Sequence, residues 1–142
     1  MNTETPKTLL LTLGTFDTPH MGHAIFLRRC ERFADRVVVG VNSDEFVESF
    51  KGVRPVYGWE ERATLIRDLG YEVVANPSAG REVIGRVKPD VLAIGSDWAR
   101  RDYYAQIDVD QDWLDLRGIT MVYIPYTPGI SSTDLKERLG GR

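Results

Sequence analysis

A single cysteine, Cys30, occurs among 142 residues, so no disulfide can close within the chain, and the composition suits a reducing compartment. Long apolar runs are also missing. Leu9-Leu10-Leu11-Thr12-Leu13 falls far short of the roughly 20 residues a membrane helix needs, and no cationic segment leads into it. The expectation is a soluble, cytoplasmic protein with no membrane partner. Positive charge is not in excess: formal net charge is −3, from 18 Lys and Arg against 21 Asp and Glu. That balance gives nonspecific nucleic-acid binding no electrostatic support, and any polyanionic ligand must be met by locally placed cations. No repeat, linker or low-complexity stretch divides the sequence, and 1–142 reads as one domain. Histidine occurs only twice, as His20 and His23, in one short stretch.

What is present is an ordinary globular composition, 42% hydrophobic and 27% charged, with apolar runs that alternate with helical patterns. Strands are expected at Leu9–Leu13, Arg36–Val41, Tyr71–Ala75, Val91–Ile94 and Thr120–Ile124. Helices are expected at Ala24–Phe33, with Phe26, Cys30 and Phe33 on one side, and from Asp44, capped by Ser43 or Asp44. Further helices are expected at Trp59–Leu69 with Ala63, Ile66 and Leu69 inward, and at Arg81–Val87 ended by Pro89. The last two are Asp112–Arg117, stopped by Gly118, and Ser131–Leu139, opened by the capping box Ser131-x-x-Asp134. Phe50–Gly58, with two glycines and a proline, reads as a mobile loop. The polar stretch 99–111 shows no period. Alternating strands and helices define an α/β class: a Rossmann-like, doubly wound, five-stranded parallel sheet with helices on both faces. Ligands of such sheets bind where strand order reverses, at the carboxyl ends of the first and fourth strands.

The loop after the first strand is Gly14-Thr15-Phe16-Asp17-Thr18-Pro19-His20-Met21-Gly22-His23. A Gly-containing turn from strand to helix can aim backbone N–H groups at phosphate. A strand–Gly–helix junction also occurs without a ligand, and two unrelated surface histidines are the plain alternative. A zinc pair would need further ligands, and Cys30 falls on the apolar side of its helix, so no metal site is assigned. The Gly-x-Gly-x-x-Gly spacing of dinucleotide binders is absent, which argues against a nicotinamide enzyme.

Gly-Thr-Phe-Asp followed by His-x-Gly-His resembles the signature of nucleotidyltransferases that join a nucleotide to a phosphorylated small molecule. The likeness is to the cytidylyltransferases, most of all those acting on glycerol 3-phosphate, and it extends over nearly the whole chain. It implies catalysis by His20, His23, Lys51 and Arg62, the histidines donating to the triphosphate and the cations neutralising it. It implies nucleotide contacts at Gly14, Thr15, Phe16, His20 and His23, at Gly95 and Asp97 of a Gly-x-Asp-Trp loop, and at Thr127, Gly129, Ile130, Ser131 and Ser132. Asp17, Lys51 and Asp97 fall to the acceptor. Mg²⁺ is the implied cofactor, CTP with a phosphorylated alcohol the implied substrates, and a homodimer the implied assembly. Without the resemblance, Lys51 is a solvated lysine, Arg62 an exposed helix arginine and Asp97 a helix cap.

Two positions depart from the family pattern: Tyr126 stands where relatives have arginine, and Pro128 where they have glutamate. Ala99–Asp115 is longer than the matching connection. Arg100 and Arg101 are the nearest candidates to replace the missing cation. Ile130-Ser131-Ser132-Thr133 also resembles the last motif of ATP-using adenylyltransferases, with Lys136 as the following cation. ATP is therefore the alternative nucleotide, and a nucleotide sensor without turnover the alternative class.

Overall fold

Short aliphatic runs pair as five parallel strands in the computed structural model, which describes residues 7–17 and 21–125. They are β1 (Leu9–Gly14), β2 (Arg36–Asn42), β3 (Glu72–Asn76), β4 (Val91–Gly95) and β5 (Thr120–Ile124), in spatial order β3-β2-β1-β4-β5. β1 sits centrally, paired with β2 from Leu9↔Arg36 to Gly14↔Val41 and with β4 over Leu10–Thr12. A central parallel strand is covered on both faces, which is why β1 is apolar almost throughout. Leu11 and Leu13 pack on one face with Ile84, Leu92 and Leu114; Leu10 packs on the other with Phe26, Leu27, Cys30 and Ile66.

The connections are α1 (Met21–Cys30), α2 (Asp44–Lys51), α3 (Trp59–Asp68), α4 (Arg81–Val87), a 3₁₀ turn at Ser96–Arg100, α5 (Tyr103–Ile107) and α6 (Gln111–Leu116). Strand order reverses between β1 and β4, as the alternation of elements implies. Ser43 caps α2 by accepting from Phe46 N at 3.1 Å. Gly118, in the left-handed region at φ 66°, follows α6.

Several boundaries differ from the sequence expectation. α1 begins at Met21 rather than Ala24, so Gly22 and His23 belong to its first turn. It ends at Cys30 because the next amides tighten to three-residue bonds, Arg32 N to Arg29 O and Phe33 N to Cys30 O. Phe33 therefore leaves the apolar side, where Leu27 takes its place. Leu69 likewise lies past the end of α3 and is exposed, while Arg62 joins Ala63 and Ile66 inside. α2 runs on to Lys51, which shortens the expected loop. The unassigned polar stretch contains α5, capped by Asp102, and leads to α6, capped by Asp110. The expected helix Ser131–Leu139 lies outside the described residues. Among the described residues no helix is long and apolar enough to cross a membrane.

Cys30 is fully buried, and burial, aided by the Glu31 carboxylate, pushes its thiol up to about 12. The reactive thiolate is thus only a trace species near neutral pH. The native protein should leave Ellman's reagent unreacted at pH 8 and react stoichiometrically once unfolded in urea. Rapid labelling of the native state would contradict this packing.

Candidate functional site

Where β1 and β4 part, two cavities of about 280 Å³ each open at the carboxyl end of the sheet. Leu13, Gly14, Thr15, Ile94 and Trp98 border both, so the end of β1 and the Trp98 ring form a ridge between them. The first cavity adds Phe16, His23, Gly95 and Asp97; the second adds Lys51, Arg101 and Gln106.

The turn after β1 is strained where it meets the first cavity. Phe16 is left-handed at φ 52°, a conformation unusual for a bulky residue. Its buried ring folds back over Gly14, where a Cβ would lie 2.7 Å from Phe16 Cε2, so position 14 admits no side chain while that ring stays put. The same ring meets the His23 imidazole edge-on, with centroids 5.2 Å apart. Gly14, Phe16 and His23 therefore form one packed unit.

Arg62 fixes the backbone of that unit from behind. It is fully buried and donates from Nε to Tyr57 O (2.9 Å), from Nη1 to Thr15 O (2.7 Å) and Asn42 O (2.8 Å), and from Nη2 to the Asp44 carboxylate (2.6 Å). All described peptides are trans, so the Phe16 N–H points opposite to the Thr15 carbonyl, away from Arg62. That N–H has no hydrogen-bond partner among the described residues. An unpartnered amide at the mouth of an anion-sized cavity is a phosphate-binding feature.

One expectation needs correction here: Arg62 is not an exposed helix arginine but a buried one, and four of its donors already serve the protein. The Asp17 oxygens accept from Val56 N (2.8 Å) and Tyr57 N (2.9 Å), tying the loop after α2 to the signature turn. Arg54 adds longer contacts to Asp44, Glu45 and Glu48 at 3.7–4.0 Å. The segment expected to be a free loop is thus anchored at several points.

The remaining predicted residues fall as follows. Gly14, Thr15, Phe16, His23, Gly95 and Asp97 gather at the first cavity. Lys51 lines the second. Asp97 is exposed and lies within the 3₁₀ turn rather than capping it. Arg101 reaches the second cavity, with its guanidinium carbon 5.5 Å from the Trp98 ring centroid, whereas Arg100 lines neither. His20, Tyr126, Thr127, Pro128, Gly129, Ile130, Ser131, Ser132 and Lys136 lie outside the described residues.

Sequence reasoning gave no role to Trp98, Asn42 or Gln106. Asn42 ends an apolar strand at the ligand-binding edge, a position that marks it as a candidate. Its side chain donates to Thr15 Oγ1 (3.2 Å) and accepts from Asn76 (2.9 Å), linking the ends of β3, β2 and β1. The Thr12 hydroxyl, buried beside the first cavity with no partner among the described residues, was concealed within an apolar run.

Comparison with known proteins agrees with this geometry. The profile of the cytidylyltransferase-like family matches residues 11–138, and the chain belongs to that family. It is 33% identical over 137 residues to the bifunctional protein HldE of Syntrophotalea carbinolica, covering 94% of this chain and 27% of that protein. The chain thus spans about a quarter of the length of these bifunctional relatives. It is 28% identical to the glycerol-3-phosphate cytidylyltransferase of Staphylococcus aureus, covering 94% of this chain and 96% of that one. Among solved structures, a lipopolysaccharide core biosynthesis protein from Thermoplasma volcanium shares the fold, with a TM-score of 0.68 at 22% identity, over 86% of this chain and 98% of that one.

Arg62→Ala should cost about 3–5 kcal/mol of stability, the range for breaking a buried charge pair, because it strands three carbonyls and Asp44. A fall in the urea midpoint at unchanged m-value measures it. Arg62→Lys should recover little, since one ammonium cannot span four acceptors. An unchanged midpoint with only a raised KM would return Arg62 to the role of ligand.

Proposed function

We propose that this chain transfers a nucleoside monophosphate from CTP to a phosphorylated small alcohol such as glycerol 3-phosphate, releasing pyrophosphate. The observation that carries the reading is the packed unit of Gly14, Phe16 and His23, whose Phe16 amide has no hydrogen-bond partner among the described residues, at the point where strand order reverses. The choice of CTP and glycerol 3-phosphate draws on the Staphylococcus aureus relative, nearly all of whose length this chain covers.

A phosphate oxygen of the acceptor attacks the α-phosphorus. One P–O bond forms, the bond from the α-phosphorus to its bridging oxygen breaks, and pyrophosphate carries that oxygen away. No covalent nucleophile takes part, so rate enhancement comes from positioning and from charge placed where it develops. The Gly14–Phe16 backbone holds phosphate in the first cavity, and His23 donates to the reacting phosphoryl group. His20, Ser131 and Ser132 complete the set by their place in the sequence motifs. Lys51, at the end of α2, supplies positive charge from the neighbouring cavity.

Mg²⁺ belongs to the same proposal. Mg²⁺ usually binds through one or two carboxylates together with substrate phosphates. Asp97 is the carboxylate at the first cavity that would meet it. When bound, the ion neutralises phosphate charge.

A second reading keeps ATP as donor, on the likeness of Ile130-Ser131-Ser132-Thr133 to the adenylyltransferase motif. Pyrophosphate release from each of four nucleoside triphosphates, against a panel of phosphorylated acceptors, separates the two. CTP with glycerol 3-phosphate should turn over, and His23→Ala should bind nucleotide normally but lose about 10²–10³ in kcat. Release with ATP alone would select the second reading. Nucleotide binding without release would mark a sensor, and an unchanged kcat in His23→Ala would remove its catalytic role.

A further inference from the structure

The two cavities differ in charge. Lys51 and Arg101 are the charged residues lining the second, with no carboxylate among its described walls, whereas the first carries Asp97. In a chain of net charge −3, two cations without an acidic neighbour in one cavity select for an anion.

The side chains of Lys51, Arg101 and Gln106 are also uncommitted. None donates a hydrogen bond to a described residue, while Arg36, Arg54, Arg81 and Arg86 all have carboxylate partners. The Arg101 guanidinium carbon lies 5.5 Å from the Trp98 ring centroid, within cation–π range, and its N–H groups donate to no described residue. Gln106 differs in this respect from Asn42, whose amide is shared between Thr15 and Asn76. Burial of Tyr103 and Ile107, at 3% and 1% exposure, pins α5 and so fixes where Arg101 and Gln106 stand. Phe46, Trp98 and Tyr103 give the cavity aromatic walls suited to a short carbon chain.

We propose that the second cavity is the acceptor site and that Arg101 and Gln106 select a phosphorylated polyol, Arg101 binding its phosphate beside Lys51 and Gln106 a hydroxyl. The inference rests on the transfer reaction proposed above and assigns its second substrate. The Trp98 ridge then divides acceptor from nucleotide, with Gly14 and Thr15 common to both sides. Entry of the attacking oxygen from one side and departure of pyrophosphate on the other fits an in-line displacement. The segment between β4 and β5 thereby carries acceptor specificity.

Arg101→Ala should raise the KM for glycerol 3-phosphate about tenfold to a hundredfold, the equivalent of one lost hydrogen bond to a charged group, and leave the KM for CTP unchanged. Arg101→Lys should fall between the two. Gln106→Ala should reduce the preference for glycerol 3-phosphate over ethyl phosphate, which has no hydroxyl, without altering the KM for ethyl phosphate. A shifted KM for CTP in Arg101→Ala, or acceptor constants within twofold of the parent, would overturn the assignment. Calorimetric titration of the parent and Arg101→Ala with both phosphates, with and without CTP, separates this site from the reaction. Binding that depends on Arg101 in a protein with no turnover supports the site and removes the reaction. No binding by the parent, or equal binding by both, overturns the site.

Discussion

One buried guanidinium holds the binding edge of this protein together. Arg62 draws the carbonyls of Thr15, Asn42 and Tyr57, from three separate segments, and the Asp44 carboxylate onto a single group. Burying such a charge is costly, and the cost is offset only when nearly every donor is satisfied and a counter-charge is near. Both conditions hold. The gain is geometric: with the Thr15 carbonyl fixed inward, the trans peptide turns the Phe16 amide the other way. Asp17 repeats the device in reverse, a carboxylate gathering two amides of the loop that Arg62 also grips. Trp59 adds a third tie through its indole N–H to Val41 O, at 2.9 Å.

Charge is distributed in keeping with this arrangement. Arg36, Arg54, Arg81 and Arg86 are all paired with carboxylates. The uncommitted cations Lys51 and Arg101 meet in one cavity beside the strand-order reversal. An acidic chain can thus present a local site for phosphate without a general affinity for polyanions.

The fold was legible because its signals are local. Apolar runs broken by turn residues placed all five strands, and the rule that ligands lie where strand order reverses brought the loops after β1 and β4 together. Arg62 was not legible. It stands in the run Trp59-Glu60-Glu61-Arg62, which reads as a solvated helix start, and two of its partners lie 47 and 20 residues away. The structural ties of Asp17 were hidden for the same reason, since the amides it accepts from are 39 and 40 residues on. α5 spans five residues, too few for a helical period to show or for a helix to persist alone, and it stands on its Asp102 cap and the burial of Tyr103 and Ile107. The His-x-Gly-His pattern was read correctly as a motif, but only the structure put His23 within α1 and against Phe16.

The account turns on nucleotide phosphate binding to the turn that Arg62 positions. Amide chemical-shift perturbation on titrating the isotope-labelled protein with CTP and Mg²⁺ tests this most directly. The largest shifts should fall at Gly14, Thr15, Phe16, His23 and Gly95, with little change along the opposite edge of the sheet at Asp35, Arg36 and Tyr71. Shifts centred on that opposite edge, or none around the β1 turn at saturating nucleotide, would contradict the account.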